Sequence, residues 1–165
     1  MALLQRLLKI WEREKNPFLI YQGQEIYFRD VYDFQSATLH GISNGDVVAL
    51  IGDYDPLTIA CLLKLIELKT IIVPLTNLTT KQHDQFFDVA CVDFIIQQGK
   101  IIKRIHNKKN NKIDKLRKLN HAGLVAFSSG TTSSPKAILH DLSIFLSKFS
   151  EPRKSLNTLN FLLFD

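Results

Sequence analysis

Val47-Val48-Ala49-Leu50-Ile51-Gly52-Asp53-Tyr54-Asp55-Pro56 decides the fold. Six residues without a charge, four of them branched aliphatics, read as a strand buried on both faces, the habit of parallel sheets. Pro56, behind Asp55, suits the first turn of a helix running to about Lys69. Thr70 to Leu75 is the next buried strand. Thr79 to about Val89 is expected as a helix capped by Thr79 or Thr80 and anchored by Phe86 and Phe87, and Val92 to Gln97 as a third strand. Strands alternating with helices of this length indicate βαβ units around a largely parallel sheet, an α/β fold flanked by helices.

Upstream, Leu4, Leu7, Leu8 and Trp11 recur at helical spacing within Ala2–Glu14, which predicts an amphipathic helix packed on its own domain and ended by Asn16-Pro17. Phe18–Tyr21 and Glu25–Phe28, joined through Gln22-Gly23-Gln24, read as an N-terminal β-hairpin. Arg29 to Leu39 reads as a helix with Val31, Phe34, Thr38 and Leu39 inward, followed by a loop to Asp46.

At 165 residues a single domain with a real core is expected, and 45% hydrophobic and 22% charged residues fit a globular chain. No apolar run reaches the ~18 residues of a membrane span. The leucine-rich start is interrupted by Gln5, Arg6 and Lys9 and lacks a small-residue cleavage site, so it is not expected to act as a signal peptide. Cys61 and Cys91 sit in apolar segments without a CxxC partner, which predicts buried thiols in a reduced, cytoplasmic protein. His40, His83, His106, His121 and His140 show no metal-ligand spacing, and no metal site is expected. Asp53 and Asp55 stand where an open α/β sheet binds ligands, yet helix capping by Asp55 and solvent exposure of Asp53 account for them better.

The net charge of +5 is local. Lys100 to Lys118 holds nine Lys/Arg against Asp114 alone, leaving twelve basic and fifteen acidic residues elsewhere. The 100–120 segment reads as a basic loop or short helix insertion. Asn107–Asn111 is expected as exposed loop, and Ile113, Leu116 and Leu119 as the apolar face of a short helix. Basic residues without interleaved aromatics make no platform for single strands, so nucleic acid is not expected as a partner. A solvated loop or hairpin tip and a patch for nucleotide or coenzyme A phosphates both remain open.

The chemistry lies downstream. Gly123 to Phe127 is strand-like and feeds Ser128-Ser129-Gly130-Thr131-Thr132-Ser133-Ser134-Pro135-Lys136, before a second apolar run, Ala137–Leu139. Small residues admit close backbone approach, turn N–H groups and hydroxyls donate to anions, and Lys136 adds a mobile positive charge. Polyphosphate suits this set, although the Walker pattern is absent and spacing alone also allows a Ser/Thr-rich surface turn. Asp141 can cap a helix over Leu142–Phe149, and Leu159–Phe164 reads as a further strand.

Ser128-Ser129-Gly130-Thr131-Thr132-x-x-Pro135-Lys136 resembles the phosphate-binding signature of the AMP-forming adenylate synthetases, which comprise acyl-CoA synthetases, luciferases and peptide-synthetase adenylation domains. That family usually has glycine where this chain has Ser133 and Ala137. The resemblance extends over nearly all 165 residues, including the hairpin–helix opening, and matches the leading part of a longer template. It implies an enzyme that forms an acyl-adenylate from Mg2+-ATP and a carboxylic acid, then passes the acyl group to coenzyme A or a carrier-protein thiol. Ser128, Ser129, Gly130, Thr131, Thr132, Ser133, Ser134 and Lys136 would bind the ATP phosphates. His140 would support the loop, and the catalytic residues stay unassigned. It also implies that residues 1–165 are an N-terminal fragment, inactive alone, awaiting the C-terminal part of the same protein and prone to self-association through Leu159–Phe164. The rival reading is a non-catalytic α/β module that uses the basic 100–118 segment for a polyanionic partner.

Overall fold

The computed structural model describes residues 3–33, 39–53, 55–128 and 135–148. Expectations for the far half of the Arg29–Leu39 helix, for Phe149 and for the Leu159–Phe164 strand fall outside those residues.

Strand β3 (Val47–Ile51) is buried along its whole length. Parallel neighbours lie on both its edges: β4 (Ile71–Leu75) and β5 (Phe94–Gln97). With β6 (Lys100–Lys103), β7 (Gly123–Ser128) and β8 (Lys136–Asp141) they form one sheet of order β6-β5-β3-β4-β7-β8. The outer pairs β5–β6 and β7–β8 are antiparallel. The separate hairpin β1 (Leu19–Tyr21) and β2 (Gln24–Ile26) turns at Gln22-Gly23, both at positive φ, as a two-residue type I′ turn demands.

Alternate side chains of β3 feed two cores. Val48 and Leu50 meet Cys61 and Leu65 of helix α3 (Pro56–Glu67), with Leu142 and Leu146 of helix α6 (Leu142–Ser147) on the same face. Val47, Ala49 and Ile51 face Phe86, Phe87 and Ala90 of α4 (His83–Ala90), and Ile113 and Leu116 of α5 (Asn111–Leu119). Helices α1 (Leu3–Trp11) and α2 (Phe28–Asp33) pack on each other and on α3. Edge-on contacts of Trp11 with Phe18 and of Phe18 with Phe28 help fix α1 to the hairpin. Both cysteines are free and buried, and burial pushes both thiols above their ordinary value.

Local chemistry sets the helix bounds. Asp55 caps α3, accepting from Thr58 N–H at 2.9 Å and Thr58 Oγ1 at 2.5 Å, with Pro56 in the first turn. Gly52 is required there, because a Cβ would lie 2.2 Å from Thr58 Oγ1. The expected helix over 79–89 starts later. Asn77–Gln82 is a 3-10 turn, with Thr79 and Thr80 hydroxyls donating back to the carbonyls of Thr76 and Asn77 rather than capping a helix. The basic segment divides into edge strand β6, a connection and α5, which Asn110 caps by accepting from Lys112 and Ile113 N–H.

Leu65 of α3, fully buried in the core cluster of Val48 and Leu50, should cost about 2–5 kcal/mol of stability on Leu65→Ala, as large-to-small core changes do. Leu78→Ala, at a site 86% exposed, should stay within about 0.5 kcal/mol. Urea unfolding of both variants measures the difference.

Candidate functional site

Parallel strands β3, β4, β5 and β7 present their C-terminal ends along one edge of the sheet, where open α/β folds bind ligands. That edge is polar. Asp53, exposed after β3, accepts from Asn77 Nδ2 at 3.0 Å, and Gln97 Nε2 donates to Asn77 Oδ1 at 3.3 Å. Among the described residues, no group of three His, Cys, Asp or Glu is arranged to hold a metal ion.

Strand β7 is paired with β4 only at Gly123 and Leu124; beyond them its ladder is with β8. Its inner face stays anchored, since Val125 is buried and Phe127 stacks on Phe86 with centroids 4.2 Å apart. The register pairs Ser128 with Lys136, which sets their Cα atoms about 5 Å apart and turns both side chains to one face. Both are exposed, and Lys136 has no ion-pair partner among the described residues. Ser129, Gly130, Thr131, Thr132, Ser133 and Ser134, the rest of the expected loop, lie outside the described residues.

The base of the hairpin is clamped at its other end. Asp141 caps α6 by accepting from Ile144 N–H at 3.0 Å, and its other oxygen meets His121 Nδ1 at 2.7 Å. Ser143 Oγ accepts from Ala122 N–H, and Leu142 N–H donates to the Ala122 carbonyl. Burial alone would raise the Asp141 carboxyl, but the bonds from His121 and Ile144 outweigh it, so the group sits below its ordinary value.

His140, expected to support the loop, lies in β8, and the loop residues it would touch are outside the described ones. It pairs with Leu124, four residues along β8 from Lys136, roughly 13 Å away in extended chain. Besides His121, two other histidines have structural partners. His83, buried, bonds the Thr76 carbonyl, and His106 contacts Asp93. The polar line Asp53–Asn77–Gln97 was not foreseen, because its members come from three strand ends far apart in sequence.

No protein-family model and no curated protein matches the sequence. Solved structures do match. The N-terminal subdomain of Klebsiella oxytoca NpsA is similar at 20% identity and TM-score 0.60, over 84% of this chain and 41% of that one. o-Succinylbenzoate CoA synthetase (MenE) from Bacillus subtilis, in complex with the acyl-adenylate intermediate OSB-AMP, is similar at 18% identity and TM-score 0.58, over 84% and 42%. VinN in complex with 3-methylaspartate is similar at 12% identity and TM-score 0.57, over 85% and 46%. The chain therefore spans about two fifths of the length of the NpsA and MenE chains.

The Asp141 clamp gives a pH dependence. A carboxyl depressed in the folded state contributes stability above its ordinary value of 3.8, and that contribution is lost as pH falls below it. Asp141→Asn should flatten the loss of stability below that pH and lower stability at neutral pH, read from urea midpoints across pH. By architecture and by these likenesses, the chain has the fold of the N-terminal portion of the AMP-forming adenylate synthetases.

Proposed function

We propose that this chain is the phosphate-binding portion of an ATP-dependent, AMP-forming carboxylic acid–CoA ligase. The observation that carries the reading is Ser128 opposite Lys136 at the base of one turn, on the C-terminal edge of a parallel sheet. The sequence between them is small, hydroxylated and free of acids. Both described members of the set fit an anion: an exposed hydroxyl and an exposed ammonium without an internal partner among the described residues.

In the whole enzyme, a carboxylate oxygen of the substrate attacks the α-phosphorus of ATP. The bond from that phosphorus to the bridging oxygen breaks, and pyrophosphate leaves with the electron pair. The loop holds the β- and γ-phosphates, so its task is to stabilise charge gathering on the leaving group. Ser128, Ser129, Thr131 and Thr132 donate hydroxyl hydrogen bonds, Gly130 allows backbone N–H approach, and Lys136 places a positive charge beside the departing pyrophosphate. No covalent nucleophile is needed. The thiol of coenzyme A, or of a carrier protein, then attacks the acyl carbon and releases AMP. Mg2+ belongs to this chemistry as the partner of ATP phosphates, and no protein ligand set for it is assigned among the described residues.

ATP should slow hydrogen exchange of the 128–136 amides, and Lys136→Ala should weaken ATP affinity about ten- to a hundredfold, the scale of one lost charged hydrogen bond. The chain alone should show no ATP–pyrophosphate exchange. Unchanged ATP affinity in Lys136→Ala, or exchange activity that survives the substitution, would overturn the assignment.

A further inference from the structure

Lys112, Lys115 and Lys118 stand three residues apart on α5, all exposed. Helical rise sets successive members about 4.5 Å apart along the axis. Leu119, 49% exposed, falls in the same sector, and the adjoining face carries the buried Ile113 and Leu116. Lys109, also exposed, precedes the Asn110 cap.

Three other cations of the basic segment are used inside the fold. Arg104 and Lys108 pair with Asp88, whose carboxyl their hydrogen bonds hold down at about 2. Arg117 binds Asp93 and Asp114 at 3.1 Å each. Lys109, Lys112, Lys115 and Lys118 have no ion-pair partner among the described residues. Helix stability does not account for the row. Like charges three residues apart repel, and Lys112 in the first turn faces the positive end of the helix dipole. Only Lys118, in the last turn, is favoured there.

Beside the row runs a groove of about 620 Å³ between the end of α4, the start of α5 and β8. Val89, Ile113, Val125 and Leu139 line it, and Lys112 stands among them. An apolar patch beside cations, with a half-exposed leucine on the charged face, has the make-up of a protein interface. A nucleic-acid single strand calls for aromatic stacking platforms, and this face of α5 has none.

We propose that this lysine face of α5, with the groove beside it, docks an acidic amphipathic helix of another protein. Carboxylates three and four residues apart on such a helix match the lysine spacing, and its apolar stripe meets Leu119 and the groove. The inference does not depend on the role proposed for the 128–136 loop.

The test is fluorescence anisotropy on the whole chain, with a helical peptide of about 20 residues bearing Glu at three- and four-residue spacing and one Leu stripe. Saturable binding is expected, weakened at least about tenfold by Lys112→Glu/Lys115→Glu/Lys118→Glu. The control Lys9→Glu/Lys15→Glu/Lys81→Glu, equal in net charge, should leave it nearly unchanged. Lys112→Gln/Lys115→Gln/Lys118→Gln, which relieves repulsion within α5, should also weaken binding and guards against a folding artefact. Four results would each overturn the proposal: no saturable binding, equal loss in both charge-reversed variants, tighter binding of a charge-matched single-stranded DNA, or α5 variants that abolish only self-association.

Discussion

Strand β3 can satisfy itself only in the middle of something. Five consecutive buried residues leave no face for water, so Val47–Ile51 requires a strand on each edge and a helix layer on each side. The chain supplies them by stepping from β3 to β4 in one direction and from β4 back past β3 to β5 in the other. Right-handed crossovers in opposite directions must run over opposite faces, which sends α3 to one side and α4 to the other. The parallel strands then end together, and the polar edge with Asp53, Asn77, Gln97 and Ser128 is a consequence of that layering.

The opposite edge is held by charge. Asp93, just before β5, accepts from Val47 N–H at 2.8 Å and from Arg117 Nη2 at 3.1 Å, while His106 Nε2 lies 3.1 Å from its other oxygen. Lys108 N–H donates to His106 Nδ1, which leaves Nε2 to carry the proton towards Asp93. Arg117 reaches on to the Gly45 carbonyl at 2.8 Å. One carboxylate thus joins the start of the central strand, the connection after β6 and the end of α5. The basic segment is anchored at its ends by this network, so α5 can present its remaining lysines outward.

Continuous apolar runs made β3, β4 and β5 legible, and Asp55 and Asp141 announced their caps. Edge elements were harder. Strand β6 carries Lys100 and Lys103 around Ile101 and Ile102, and charge on an edge strand is a guard against association that reads as loop. Its signal was Gln98-Gly99, the same dipeptide at the same positive φ angles that turns the first hairpin at Gln22-Gly23. Threonine hydroxyls at 79 and 80 suggested caps, but they bond backward to carbonyls. At the candidate site, residue types were legible and distances were not. His140 lies four residues from Lys136 along β8, roughly 13 Å in extended chain.

That strand geometry also bears on Ala137, one of two positions where the resembled signature carries glycine. Ala137 lies in β8, opposite Phe127, in extended backbone that any residue adopts. Glycine there would gain no conformational access and would leave the unfolded chain more freedom to lose. Alanine therefore stiffens the residue next to Lys136. For a lysine proposed to meet a departing pyrophosphate, a fixed stem is compatible with the role, because the four-carbon side chain retains the reach and only its root is held. The replacement shifts the hairpin base from freedom towards preorganisation, and leaves Gly130 as the one glycine between Phe127 and the end of β8.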